Sequence, residues 1–437
     1  MTTDPLMMAC VGDVSGMVRG KGFPVSAFEK RVEKGVGWTP TNVQITCFDT
    51  IADSPYGSLG DLVLWPERTS FRTVRLGEAE GPEERYVLGD IAHLDGTPWE
   101  CCLRSMLKRA LADLEALTGW RLVSTFEHEF MFAGGRSAGA AFSLSGFRHR
   151  AGFGEAFMGA LGQAGIVPDS FLREYGPGQY EVTVDPAEGV EAADQAMMLR
   201  ELARATAALF GEEVTFTPLI DPAAVGNGVH VHFSFLDRTG EPVMYDAAGR
   251  HGLSEKAGSF VAGILAHLDA ILCLTAPSRI SYGRLTPHRW SAAFNNLGDK
   301  DREASLRICP TSAKDGAGRA RQFNVEYRAA DAAANPHLAL AALVMAGCQG
   351  IRDGLATPEA TQEDLSLLDP EALARRGYRR LPATLADALD RLEASATVRS
   401  WFPEGFADIY LAHKRGELAH LDGLSEEEAC AAYAAVY

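Results

Sequence analysis

The sequence holds 8 cysteines but no CxxC pair and no Cys/His spacing suited to zinc. Scattered thiols at 10, 47, 101, 102, 273, 309, 348 and 430 read instead as small core residues in a reducing compartment, which points to the cytoplasm. Positive charge is short: Lys and Arg total 41 against 58 Asp and Glu, for a net charge of −17. That balance argues against nucleic-acid and anionic-membrane partners, which need clustered Lys and Arg, and leaves room for a local basic pocket. Apolar runs such as Leu338 to Cys348 are too short to span a bilayer. The opening residues MTTDPLMMAC lack a basic stretch followed by an apolar one, so no secretory signal is expected. Walker, kinase Gly-rich and strand-linked GxGxxG patterns are missing too, so any nucleotide is held by another kind of fold.

What is present is enough for a large core: 437 residues, 46% of them hydrophobic. Residues 1 to about 100 read as short strands and turns, among them NVQITCF and LVLWPE, broken by Gly and Pro. A helical pattern begins near Trp99 and ends at a Gly119 C-cap. The domain boundary is therefore placed at about residue 100, giving units 1–100 and 101–437. Long helices follow in EAADQAMMLRELARATAALFG, GSFVAGILAHLDAILCLTA and HLALAALVMAGCQGI, the last with Asn335 as N-cap and Pro336 at the first helical position. The tail after about residue 355 reads as polar packing helices.

Several candidate strands share one habit. Side chains alternate faces along a strand. In TFEHEF and the residues after it, Phe126, His128, Phe130 and Phe132 face one way, and Glu127 and Glu129 the other. Such an ExE pair alone reads as a solvated edge. However, GQYEVTVD opposes Tyr180, Val182 and Val184 to Gln179, Glu181 and Thr183, and VHVHFSF opposes its apolar residues to His230, His232 and Ser234. ASLRI presents Arg307, and NVEYR presents Asn324, Glu326 and Arg328. Carboxylate, imidazole and guanidinium recur where ordinary solvated faces carry Lys and Thr, which points to one shared polar cavity. Clustered carboxylates repel unless cations neutralise them. Carboxylates with an imidazole and no thiolate suit Mg²⁺ or Mn²⁺. Arginines beside them suit phosphate or carboxylate ligands. Together these are the groups that phosphoryl transfer requires.

The pieces FEHEF, EYGPGQYEV, GNGVHVHFSF, SYGRL, DREASLRI and VEYRAADAAANPHLALAALVMAGCQGI, in that order over about residues 100 to 355, resemble the glutamine synthetase superfamily. The resemblance implies an α+β fold: a small N-terminal β-grasp domain, then a catalytic domain on a curved antiparallel sheet. It also implies a homo-oligomer of stacked rings, a dodecamer, with active sites between neighbouring subunits. Cofactors would be ATP and two or three Mg²⁺ or Mn²⁺ ions. By resemblance, Glu129, Glu174 and Glu181 are ligands of the glutamate-side metal, and Glu127, His230 and Glu326 of the metal that bridges the ATP phosphates. His232 and Ser234 match nucleotide contacts; Arg302, Arg307 and Arg321 match phosphate contacts. Arg284 and Arg328 match groups that hold the amino-acid carboxylate and the transferred phosphate, and Gly226 a loop glycine beside the substrate. Glu174 as a surface acid and Arg321 as a solvated arginine remain open. The implied reaction phosphorylates the γ-carboxylate of L-glutamate, and an amine then displaces phosphate.

The departures from that pattern narrow the amine. The ammonium-using members carry a flap glutamate after SYxRL and an aspartate from the neighbouring subunit. Here, counting without gaps from Arg284 to Arg302, Trp290 stands at the flap acid's position. The aspartate's position falls near Thr39, and no acid lies between Lys34 and Asp49. Without those acids the electrostatic reason for NH₄⁺ to bind is gone, and Trp290 offers an apolar face instead. The chain therefore resembles the branch that makes γ-glutamyl amides of organic amines, such as the γ-glutamylanilide and γ-glutamylalkylamide synthetases. The absence of an acid on the flap favours apolar mono-amines or anilines over polyamines. Trp290 packing the flap closed is the alternative. Val225 replaces the usual asparagine beside Gly226, and the tyrosine that some bacterial members modify has no counterpart in DLSLLDPEALARRGYRRLP.

Overall fold

The computed structural model describes residues 3–77, 83–133 and 139–437. The N-terminal unit is a mixed sheet. β1 (Leu6–Gly12) and β2 (Val18–Pro24) form an antiparallel hairpin, followed by α1 (Phe28–Lys34), β3 (Val36–Trp38), β4 (Leu62–Pro66), β5 (Arg72–Arg75) and β6 (Glu83–Ala92). The order is β2-β1-β6-β4-β3, with β5 also on β6 and the central pair β1–β6 parallel. Local chemistry sets the first turn: Asp13 Oδ1 accepts from the N–H groups of Ser15 and Met17, each at 2.9 Å, and Gly16 takes φ 76°. One expected strand is not formed. Within NVQITCF, residues 42–44 belong to a 3₁₀ turn, Pro40–Gln44, and Ile45 makes only an isolated bridge to Ile51. Pro40 at the first helical position favours that turn and carries no N–H for a ladder.

The second unit starts with α2 (Leu103–Thr118), four residues later than the pattern from Trp99 suggested, and ends it at Gly119 with φ 78° and an N–H to Glu115. Then come β7 (Arg121–Phe132), α3 (Leu144–His149), α4 (Ala151–Gln163), β8 (Pro168–Arg173), β9 (Gln179–Val184), β10 (Ala187–Glu188), α5 (Glu191–Leu209), β11 (Val214–Thr215) and β12 (Val229–Leu236). After them run α6 (Glu255–Thr275), α7 (Ser281–Arg284), β13 (Phe294–Asp299), β14 (Ala304–Ile308), α8 (Gly316–Gln322), β15 (Val325–Ala330), α9 (Pro336–Arg352) and β16 (Ala360–Thr361). Helices α10 (Pro370–Arg375), α11 (Leu385–Ala394), α12 (Ala396–Arg399), α13 (Phe406–His420) and α14 (Glu426–Ala434) close the chain, so the tail is helical as expected.

The ten-stranded sheet has the order β16-β13-β14-β15-β12-β7-β9-β8, with β10 and β11 also on β7. From β14 to β8 it is antiparallel. At the other edge β13 pairs parallel with both β14 and β16, so the sheet is mixed there rather than antiparallel throughout. Lys300–Glu303 link β13 to β14, and Lys300 takes φ 64°. Along β7 every second residue is buried, as the sequence pattern requires. Phe126, Phe130, Val182, Val231, Phe233, Leu306 and Tyr327 form one continuous core, against which α2, α5 and α6 pack. Helix α6 is long and apolar enough to cross a membrane by length and composition, and 78% of its apolar window is buried inside the protein.

Candidate active site

Strand register brings the polar residues together. The β7–β12 ladder sets Glu127 opposite His230, and the β7–β9 ladder sets Glu129 opposite Glu181. Glu326 on β15 lies opposite His232 of β12 and Arg307 of β14. Directly paired residues share a face, so one face of five neighbouring strands carries them all. This face borders a cavity of about 440 Å³ lined by Glu127, Glu129, Glu174, Glu181, Gly226, His230, His232, Arg284, Trp290, Arg302, Arg307, Glu326 and Arg328. Ser234 and Arg321 lie instead in an adjoining cavity of about 390 Å³, which shares Glu127 and His232 with the first. Thr39 lines neither.

The acids are strained as charges. Burial pushes the Glu129 carboxyl up to about 7; the Gly228 N–H opposes this, and the charges of Glu174 and Glu127 add to it. Burial, then Glu127, Glu129 and Glu174, push Glu181 up to about 10. Glu174 is raised by burial as well. Glu127 and Glu326 go the other way: burial opposes their ionisation, but His230 beside Glu127, and His230 and Arg328 beside Glu326, hold both down. A carboxylate cluster of this kind fits a cation, because it cannot hold its full charge unaided. Donor atoms of Glu127, His232 and Glu326 lie within 4.8 Å of one another, a spacing a single metal ion can bridge. His232, matched above to a nucleotide contact, stands within that spacing. The His230 ring sits against the same carboxylates, its Nδ1 2.7 Å from Glu127 Oε1 and 3.5 Å from Glu326 Oε1. Burial keeps that imidazole neutral, the form that ligates metals.

The arginines retain unspent donors. Arg284 gives Nη2 to the carbonyls of Ala329 and Ala330 at 3.1 and 2.7 Å and Nη1 to Ser291 at 2.9 Å. Arg307 gives Nη1 to Glu326 at 2.8 Å. Arg328 bonds Glu326 and gives Nη2 to the Trp290 carbonyl at 3.2 Å. Among the described residues the Nε–H groups of all three are buried without a partner, so the guanidiniums are incompletely satisfied, and the positive wall they give the cavity suits an anion such as a carboxylate or phosphate.

The flap is held by a group that the sequence reading missed. Glu303 accepts the backbone N–H of His288 at 3.0 Å and of Trp290 at 3.2 Å. Both residues have positive φ, 63° and 57°, a strained geometry that survives where surrounding contacts over-determine it. Trp290 is 61% exposed, so it does not pack the flap shut within this chain. Gln179, placed on the polar face from the sequence, had been given no role. It is 2% exposed, and its Nε2 lies 2.9 Å from the Gly226 carbonyl, 2.9 Å from Asn227 Oδ1 and 3.2 Å from Glu129 Oε2, tying the substrate-side loop to the sheet. Its place beside Glu181 on the polar face was legible; its loop partners were not.

Paired carboxylates beside guanidiniums fit divalent cations together with a phosphate or carboxylate ligand. The chain belongs to the glutamine synthetase family: the model of the glutamine synthetase catalytic domain matches residues 100–433, and that of its N-terminal domain residues 4–99. It is 34% identical to the gamma-glutamylpolyamine synthetase of Streptomyces coelicolor over 96% of this chain and 91% of that one. It is 29% identical to the glutamine synthetase of Pyrococcus horikoshii over 93% and 87%. The crystal structure of a novel glutamine synthase homolog superposes with a TM-score of 0.92 at 40% identity, covering 100% of this chain and 99% of that one. The GmaS–ADP complex shares the fold, with a TM-score of 0.81 at 24% identity over 96% and 95%.

Proposed function

We infer that the protein is an ATP-dependent ligase joining the γ-carboxylate of L-glutamate to an organic amine by way of γ-glutamyl phosphate. The observation that carries this reading is Trp290: an exposed ring stands at the cavity mouth where ammonium users place an acid. In the reaction the γ-carboxylate attacks the terminal phosphorus of ATP and releases ADP. The amine nitrogen then attacks the acyl carbon, phosphate leaves and a proton is lost. Arg284 and Arg328 hold the amino-acid carboxylate and the transferred phosphate, while Arg302 and Arg307 reach the phosphates. Ser234 and Arg321 contact the nucleotide from the adjoining cavity, which His232 borders. Glu127, Glu129, Glu174, Glu181, His230 and Glu326 would hold two or three Mg²⁺ or Mn²⁺ ions, with His232 at the edge of that set. When bound, the ions neutralise charge on the phosphates. The reading also takes a domain boundary at residue 100, a ring-shaped dodecamer and a cytoplasmic setting from the family.

A di- or polyamine is favoured by a further observation. The preference for apolar mono-amines rested on a flap without acids, and Glu303 now stands against that flap. Beyond Trp290 lies a cavity of about 610 Å³ bordered by Asp299, Asp301, Glu303, Glu363 and Asp364 as well as Lys300 and Arg302. A distal ammonium has carboxylates to meet there. The similarity to a gamma-glutamylpolyamine synthetase agrees with this choice. The deciding measurement is phosphate release from ATP with L-glutamate, Mg²⁺ and ammonium, methylamine, isopropylamine, ethanolamine, putrescine or aniline. Turnover with an organic amine and little with ammonium is expected, with putrescine foremost. Turnover with ammonium alone would make the protein a glutamine synthetase, and silence throughout would leave a non-catalytic scaffold.

A further inference from the structure

Trp290 does not stand alone at the mouth. Tyr175 faces it, the two rings 9° from parallel with centroids 6.5 Å apart. Both side chains border the cavity, and both are largely open, Tyr175 at 66% and Trp290 at 61% exposure. The spacing is the informative part. It falls within the range of offset-stacked ring pairs, so the two rings present one continuous aromatic surface at the mouth. Neither ring is placed by core packing. Tyr175 follows Glu174 directly and donates its N–H to that carboxylate at 2.9 Å. Trp290 is held in a strained backbone by Glu303 on one side and Arg328 on the other. Two apolar faces are thus tied by their backbones to the reacting centre and left uncovered within the chain.

Resting on the ligase reading above, we propose that Tyr175 and Trp290 form an aromatic clamp, one surface built of two rings, for the carbon chain next to the reacting nitrogen, which makes Tyr175 a specificity-determining residue. The acceptor class this selects is a primary amine with a methylene chain long enough to touch both rings. Aromatic faces gain from methylene contact, and from a charged amine through its cation–π attraction. Ammonium and methylamine are too small to reach both rings.

The test is a chain-length series, from ammonium and methylamine to n-pentylamine, in the wild type, Tyr175→Phe and Tyr175→Ala. In the wild type, kcat/KM rises roughly threefold to fourfold per added methylene until the clamp is filled. Tyr175→Phe keeps the ring and the slope. Tyr175→Ala flattens the series, raising KM for the longer amines about tenfold while kcat and the KM for L-glutamate stay within about twofold. A wild type that uses ammonium alone overturns the ligase reading and the clamp together. A wild type that uses organic amines with a slope that Tyr175→Ala leaves intact overturns the clamp alone. If Tyr175→Ala alters the oligomeric state and all substrates equally, the ring pair is an assembly contact and the clamp is again overturned.

Discussion

At the residue scale the substrate argument turns on Trp290, and restoring the missing acid tests it. Trp290→Glu places a carboxylate at the cavity mouth, next to Glu174, Glu129 and Glu303, and gives NH₄⁺ a counter-charge. The expected outcome is a gain of at least tenfold in kcat/KM for ammonium and a comparable loss for organic amines, read by coupled phosphate release. An unchanged preference would sink the role given to this position. The legibility of the site divides at the same scale. Glu127, Glu129, Glu181, His230, His232, Arg307, Glu326 and Arg328 could be read from the chain because period-two alternation needs only local order, and five strands repeat it. Glu303, Gln179 and Tyr175 could not. Their roles depend on backbone N–H groups, a carbonyl and a ring brought close by loops, and alternation carries no signal of that. His232 shows a finer limit: alternation places it on the right face, but only the ladder with Glu326 shows how close it comes to the carboxylates.

At the element scale the strands most clearly read were those whose two faces differ in chemistry, and the least clear were those set by pairing partners. NVQITCF has a strand-like composition yet forms a 3₁₀ turn, since a proline and a one-residue bridge leave it no ladder to join. The parallel edge of β13 was likewise invisible, because parallel and antiparallel strands alternate alike. Helix α9 is the opposite case. Its start is fixed by Asn335, whose Oδ1 accepts from His337 at 2.9 Å and Leu338 at 3.2 Å, and Pro336 supplies a preset φ. The structure adds a second duty: Asn335 Nδ2 donates to the Asp13 carbonyl at 3.1 Å, so this cap also holds the first hairpin turn of the N-terminal sheet. Asn335→Ala removes both, and with the cap alone worth about 1 to 2 kcal/mol, a drop of about 2 kcal/mol in unfolding free energy is expected. Urea denaturation measures it. A loss no larger than that of an exposed surface substitution would mean that α9 is held by its buried apolar face and not by its cap.

At the scale of the whole molecule the raised carboxylates of the site predict an instability that a bound divalent cation would relieve. Glu129 and Glu181 titrate upward, to about 7 and about 10 from an ordinary value of 4.5. A carboxyl whose pKa rises on folding binds more protons in the folded than in the unfolded state across that interval. The sign follows: stability from these groups is full below about pH 4.5 and is lost as pH rises through 7 towards 10. The metal-free protein should therefore lose stability between pH 6 and pH 8, at least where other groups are silent. His128, which burial holds down to about 3, titrates only on the acid side, and Asp194, held by His337 and Arg104 at about 2, lies further still from that window. Millimolar Mg²⁺ or Mn²⁺ that binds the ionised cluster of the folded state should raise the melting temperature more at pH 8 than at pH 6. Glu181→Gln separates this from unspecific salt effects. It removes a carboxyl that folding forces to keep its proton far above the ordinary range, so the variant should melt higher than the wild type in EDTA at pH 8, respond less to Mg²⁺, and show a flatter pH profile. Should the wild type in EDTA melt at the same temperature at pH 6 and pH 8, and Glu181→Gln melt with it, the cluster stores no such repulsion. These carboxylates would then need no cation in the folded protein.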